Sequence, residues 1–216
     1  MQSNIGGQTK GIELKAGTTL DWTCGPPFGR GVEVGSRNFV YFDLETQRSA
    51  NDVGGWSNKA RMGMSVGVTY SSAKGEYIIY PEEEAPALIE EIMTADLVIG
   101  YNHVSFDYEV LMGYSTWEIG AATRSLDMMV DLEEKLGHRL KLEAIASACL
   151  GAGKSADGID AIRWWQQGEI MKIAEYCCFD VKVTKMVHEF GVENGFVRYI
   201  DRFGNVQKVD VDWEAP

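Results

Sequence analysis

The chain has 216 residues and a formal net charge of −12, with 32 Asp and Glu against 20 Lys and Arg, and 45% of it is hydrophobic. That length fits one domain or one domain with an appendage, and six Trp, nine Tyr and eight Phe suffice to build a real core. The acidity argues against a long, tight, non-specific duplex binder, which normally shows a basic footprint; no apolar run reaches the roughly 18 residues of a membrane helix, and MQSNIGGQTKG at the N-terminus lacks the basic-then-apolar pattern of a signal peptide.

Residues 1–36 are rich in Gly, Thr and Pro and show no clear periodicity, so they read as an irregular N-terminal extension to a domain over 37–216. Phe39-Val40-Tyr41-Phe42 predicts a buried strand, and Gln47 to Lys59, rich in Ser, Asn and Gly, a loop. Met62 to Tyr70 and Glu76 to Tyr80 read as a hairpin around Ser71-Ser72-Ala73-Lys74-Gly75. Glu82 to Met93 predicts a helix, with Leu88, Ile89, Ile92 and Met93 at helical spacing. Leu97 to Tyr101 reads as a short buried strand, Phe106 to Tyr114 as a helix and Arg124 to Met128 as a fifth strand. Leu132 to Leu136 and Leu142 to Leu150 are helical pieces. Glu169 to Phe190 is the longest helical pattern, with Ile170, Ile173, Cys177, Val181 and Thr184 on one stripe. Phe196 to Ile200 and Val206 to Trp213 flank a turn and form a closing hairpin. The order implies an α/β fold: a mixed five-stranded sheet with helices on its faces and a C-terminal β-hairpin. The cysteines Cys24, Cys149, Cys177 and Cys178 make no Cys-x-x-Cys pair and read as reduced thiols of a cytoplasmic protein, without a structural zinc framework.

Three short acidic signatures carry the chemistry. Asp43-Leu44-Glu45 ends the first strand, Asn102-x-x-x-Phe106-Asp107 follows the fourth, and Tyr176-x-x-x-Asp180 lies in the long helix. Side chains alternate across a strand, so Asp43 and Glu45 project from one face if the strand continues that far. Tyr176 and Asp180, four apart in a helix, share a face. Four carboxylates brought together repel one another unless a cation joins them. Carboxylate oxygens suit hard divalent ions, magnesium or manganese, and two such ions about 4 Å apart clamp a scissile phosphate. Asp43 is placed to bridge both ions, and Tyr176, with an ordinary pKa near 10, is assigned to orienting water. Each signature alone is weak, since exposed acids and core tyrosines are common; in this order and on these elements they are specific together.

Other features are weaker. Gly151-x-Gly153-Lys154-Ser155 fails as a phosphate loop, because the spacing requires Gly where Ala148 stands and because it follows a helix. Lys154 is expected to meet a substrate phosphate, with an exposed loop lysine as the alternative. His103 and Asn102 inside the second signature, and Phe106 beside Asp107, are expected to meet substrate, with structural roles as their alternatives. Leu44 and Thr46, flanking the first acids, are expected to line the same site. Trp164 and Trp165 read as core before base platform, Asp127 as a helix cap before a ligand, and His188 as lying outside the site.

On these residues the chain resembles the DEDD, or DnaQ-like, 3′–5′ exonucleases of RNase H-like fold, tyrosine branch. Phe42-Asp43-Leu44-Glu45-Thr46, Gly100-Tyr101-Asn102 and Tyr176-Cys177-x-x-Asp180-Val181-x-x-Thr184 look most like the exonuclease domain of family B DNA polymerases and its bacterial stand-alone or helicase-associated relatives. The resemblance covers about residues 37–213 and includes Gly151 to Trp165. It implies metal ligation by Asp43, Glu45, Asp107 and Asp180, with Tyr176 positioning water. It also implies two magnesium or manganese ions per site and digestion of single-stranded DNA or RNA from the 3′ end. A helicase or polymerase is the partner it suggests, although no polymerase or helicase domain is read beside the nuclease. The pattern specifies neither sugar nor oligomeric state. The competing expectation is a non-catalytic interaction module with vestigial acids, against which the presence of all four acids and Tyr176 speaks.

Overall fold

The computed structural model describes residues 37–151 and 158–215. The expected N-terminal extension, Cys24 and Lys154 lie outside the described residues. In chain order the elements are β1 (Phe39–Thr46), α1 (Ala50–Val53), a 3-10 turn (Trp56–Arg61), β2 (Met64–Ser71), β3 (Glu76–Pro81), α2 (Ala85–Thr94), β4 (Leu97–Gly100), α3 (Asp107–Leu111), α4 (Ile119–Ala122), β5 (Ser125–Asp127), α5 (Met128–Leu136), α6 (Leu142–Leu150), α7 (Gly158–Gln166), α8 (Ile170–Asn194), β6 (Phe196–Ile200) and β7 (Val206–Asp210).

The strands form the expected mixed sheet in the order β3-β2-β1-β4-β5, with β6 and β7 as a separate hairpin. β1 pairs antiparallel with β2 and parallel with β4, and so occupies the centre. Both of its faces are covered, which is why it reads as a continuous apolar run. Phe39 and Tyr41 enter a core with α5 to α8 and the hairpin; Phe42 and Leu44 point the other way, into a core with α2 and α3. The period of two thus assigns Asp43 and Glu45 to the α8 face.

Against that face the C-terminal segment locks the long helix. The Tyr41 hydroxyl bonds His188 Nδ1 at 2.9 Å, His188 stacks on Trp213 with ring centroids 5.8 Å apart, and Trp213 Nε1 donates to Asp131 at 2.8 Å. A glycine is required at 191, because a Cβ there would lie 2.4 Å from the Trp213 ring. His188 is buried in this cluster, away from the acids.

The structure departs from the sequence expectation at four places. The segment read as a loop from Gln47 to Lys59 contains α1 and the 3-10 turn. Ser49 and Asp52 close a capping box there, which supports a four-residue helix too short for periodicity to reveal. α4 is equally short, and α7 follows a Gly-rich stretch that carries no helical stripe. The expected Phe106–Tyr114 helix is regular only over Asp107–Leu111.

Candidate active site

β4 pairs with β1 only through Phe39, Tyr41 and the residue between them, so β1 runs on past the end of its parallel neighbour. Crevices beyond the carboxyl ends of parallel strands are common ligand sites. The overhang carries Asp43 and Glu45, both half-buried. α8 crosses this face and presents Asp180, and carboxylate oxygens of Asp43, Glu45 and Asp180 lie within 4.8 Å of one another. Between helix and strand, Cys177 Sγ donates to the Asp43 carbonyl oxygen at 3.4 Å and to Asp43 Oδ2 at 3.6 Å. α7 approaches from the side: a Cβ on Gly158 would stand 3.9 Å from Glu45 Oε2.

The second signature arrives through a tight turn after β4. Gly100 lets the His103 ring pack over its Cα, since a Cβ there would lie 2.7 Å from His103 Nδ1. Asn102 takes the left-handed conformation at φ 65°, which asparagine tolerates better than most residues. Its N–H donates to Asp127 Oδ1 at 2.8 Å, that of Val104 donates to Asp127 Oδ2 at 3.1 Å, and the Ser105 hydroxyl donates to Asn102 Oδ1 at 2.6 Å. Asp127 also caps α5 through Met129 and Val130. The turn delivers buried Asp107 to the first residue of α3, where its Oδ1 accepts the Leu44 N–H at 3.1 Å.

Asp43, Glu45, Asp107 and Asp180 all line one cavity of about 650 Å3. Tyr176 borders an adjoining cavity of about 190 Å3, and Asp180 lines both. Burial, then the charge of Asp107, Glu45 and Asp180, holds the Asp43 carboxyl well above its usual range. Burial, then Asp180 and Asp107, does the same for Glu45. Asp107 is pushed up to about 8, chiefly by burial, against the lowering effect of the Leu44 hydrogen bond. Burial, then Asp180, also raises the Tyr176 hydroxyl, which hydrogen-bonds Asp180. Among the described residues lining the large cavity the basic side chain is Arg48, and its Nε is committed to the Met62 carbonyl at 3.2 Å.

Residues 40–190 match the family model of the RNase H superfamily. The chain belongs to that superfamily. No curated protein matches it, whereas 119 chains of solved structures do. One is the family B DNA polymerase of the hyperthermophilic archaeon Pyrobaculum calidifontis, with a TM-score of 0.53 and 15% identity over 72% of this chain and 24% of that one. At that identity the likeness is one of fold, and the present chain spans about a quarter of the polymerase's length.

Within this RNase H superfamily fold the other expected site residues divide. Asn102, Phe106, Leu44 and Thr46 border the large cavity. The Leu44 side chain, however, is buried in the opposite core, and the Thr46 hydroxyl is spent on the Arg48 carbonyl at 3.1 Å. His103 corrects the expectation of a substrate contact: it is 0% exposed, stands edge-on to Tyr108 and lies behind the turn, where burial lowers its pKa to about 4. Trp164 and Trp165 pack on the α8-side core, Trp164 edge-on to Tyr176 at 6.0 Å. Sequence reasoning missed Trp56, Asn51, Ile159 and Ile162 as lining residues. They sit on α7 and on the capped segment after β1, for which the signatures hold no signal.

Proposed function

We propose that the chain is a metal-dependent 3′–5′ exonuclease that hydrolyses phosphodiester bonds of single-stranded or frayed nucleic acid and releases nucleotides with 5′-phosphates. Membership of the RNase H superfamily supports nuclease chemistry in general. The observation that carries the finer reading is the convergence of Asp43, Glu45 and Asp180 within 4.8 Å, with Asp107 on the same cavity wall.

The donor set fits a divalent ion. It is all carboxylate oxygen, the preferred ligand of magnesium and manganese. Burial and neighbouring acids raise Asp43 and Glu45, and what opposes them is a thiol hydrogen bond from Cys177 to Asp43 rather than a basic side chain, so a bound cation is the charge that would relieve their repulsion. When bound, two such ions supply a polarised phosphate, an activated water and a stabilised leaving oxygen.

The residues then take separate roles. Asp43 would be the shared ligand, and Glu45, Asp107 and Asp180 would complete the set of carboxylates that holds the ions. Tyr176, kept protonated by burial and by Asp180, orients the attacking water and a phosphate oxygen rather than acting as a strong base. Asn102 and Phe106 meet the terminal nucleotide from the cavity wall.

The test is a time course on matched DNA and RNA single strands, labelled at the 5′ end in one set and the 3′ end in another, with magnesium, manganese or chelator. The reading expects metal-dependent ladders from the 5′-labelled strands and early release of labelled mononucleotide from the 3′-labelled ones. No degradation, together with no metal binding by calorimetry, overturns it.

A further inference from the structure

We infer that Trp56 is the wall on which a base of the substrate strand stacks, which makes the segment after the first acidic pair a base-binding subsite of the nuclease proposed above. The inference rests on that reading and names a residue that the acidic signatures do not contain.

Trp56 opens the 3-10 turn Trp56–Arg61 and is 68% exposed, yet it lines the cavity that holds the four acids. Its ring stands edge-on to Phe106, with centroids 6.3 Å apart, and Phe106 directly precedes Asp107. The two rings therefore continue one aromatic wall toward the carboxylates. Trp117 is as exposed, at 72%, but does not line this cavity.

The segment that presents Trp56 is fastened on both sides. Gly55 N–H donates to the Ala50 carbonyl at 2.7 Å, Asn58 Nδ2 to the Val53 carbonyl at 2.9 Å, and Lys59 Nζ to the Ser105 carbonyl at 2.5 Å. The last bond ties the tryptophan segment to the turn that delivers Asp107. The bonds fix the backbone that presents the indole, and a preorganised backbone lowers the cost of binding a planar partner.

Charge decides what that partner is. A chain of net charge −12 with an acidic cavity floor does not draw a strand in by a basic groove. Base–aromatic stacking supplies affinity that does not depend on phosphate neutralisation, and it is tolerant of sequence because every base has a π-face. The cavity, at about 650 Å3, falls in the range that accommodates small-molecule-sized ligands and leaves room for a nucleotide above the acids.

The experiment compares Trp56→Ala, Trp56→Phe and Trp117→Ala on an intact single strand and on strands made abasic at the last or the next-to-last 3′ position. Trp56→Ala should raise KM roughly tenfold on the intact strand, as expected for loss of one stacked base, with kcat little changed. Trp56→Phe should recover most of that loss and Trp117→Ala should show none. One of the abasic strands should make Trp56→Ala and the unaltered protein equivalent. An unchanged KM for Trp56→Ala, or the same loss on every abasic strand, overturns the inference. A second arm measures anisotropy of a short fluorescent single strand with calcium present, so that binding is read without cleavage. If the unaltered protein cleaves nothing, the exonuclease reading fails while this arm still decides on Trp56: weaker binding by Trp56→Ala alone sustains the subsite, and equal or absent binding refutes it.

Discussion

The main-chain N–H of Leu44 donates to Asp107 Oδ1 at 3.1 Å, so the second acidic signature is fastened to the strand that carries the first. β4 has ended by that point, and the carboxylate takes the place of a strand partner for this N–H. Asp107→Asn keeps an acceptor while removing charge, so it should fold with a melting temperature in chelator no lower than the unaltered chain and yet lose metal-dependent cleavage. Asp107→Ala leaves the buried Leu44 N–H unpartnered and should cost about 1–3 kcal/mol of stability. Denaturant unfolding of the two variants separates the roles; equal stability would show that the bond does not hold the site together.

The same acids set a pH dependence. Burial pushes the Asp107 carboxyl up from its ordinary 3.8 to about 8, and Asp43 and Glu45 are raised as well, by burial and by their acidic neighbours. A raised folded pKa means that the folded chain holds protons the unfolded chain has released. The associated stability is fully present below about pH 3.8 and is lost as pH rises through about 8. In chelator the melting temperature should therefore fall between pH 6 and pH 9, and saturating magnesium should offset the fall. Asp43→Asn should flatten the chelator curve. A curve equally steep with and without metal would contradict the shared acidic site.

Much of the fold was legible because its signals are local. The alternation of β1 assigns Asp43 and Glu45 to one face, and the stripe through Ile173, Cys177 and Val181 turns α8 toward that face. What was illegible depends on contacts between distant segments. The enclosure of His103 follows from the bare Cα of Gly100 and the Tyr108 ring, neither of which marks a histidine as buried from sequence. Trp56 sits in a segment whose helix has four residues, too few for a period, and its approach to Phe106 joins positions 50 residues apart. The Leu44–Asp107 bond spans 63 residues and involves a main-chain group that no side-chain pattern encodes.

Away from the site, buried Glu91 ties α2 to β2 and β3. Its Oε2 accepts from Thr69 Oγ1 at 2.6 Å and the Tyr80 hydroxyl at 2.7 Å, and Oε1 accepts from Lys74 Nζ at 2.7 Å. Burial pushes this carboxyl up, but the hydrogen bonds from Lys74, Thr69 and Tyr80 outweigh it and the net shift is downward. The contribution is thus present above about pH 4.5 and lost as pH falls through the lower folded value. Glu91→Ala should cost roughly 3 kcal/mol at pH 7 by leaving two buried hydroxyls unpartnered, with metal affinity unchanged. The stability gap between Glu91→Gln and the unaltered chain should narrow at pH 3. A gap independent of pH would mean that the ionised carboxylate is not what holds α2.

The proposed roles put water positioning on Tyr176 and metal binding on the four acids. Its ring rests edge-on against Trp164 at 6.0 Å, and its hydroxyl bonds Asp180. Burial and then Asp180 raise the hydroxyl above its ordinary value of 10.0, which is why the proposal gives it the orientation of water rather than general-base work. Tyr176→Phe keeps the ring and its packing but removes the hydroxyl, so kcat should fall by roughly a hundredfold, the scale of one lost positioning donor. Metal affinity, measured by calorimetry, should stay nearly intact, since Asp43, Glu45, Asp107 and Asp180 all remain. The pH–rate profile should lack a falling limb from tyrosine ionisation below about pH 10. Loss of metal binding in Tyr176→Phe would assign the hydroxyl to the ion's coordination shell, and an unchanged kcat would remove it from the reaction.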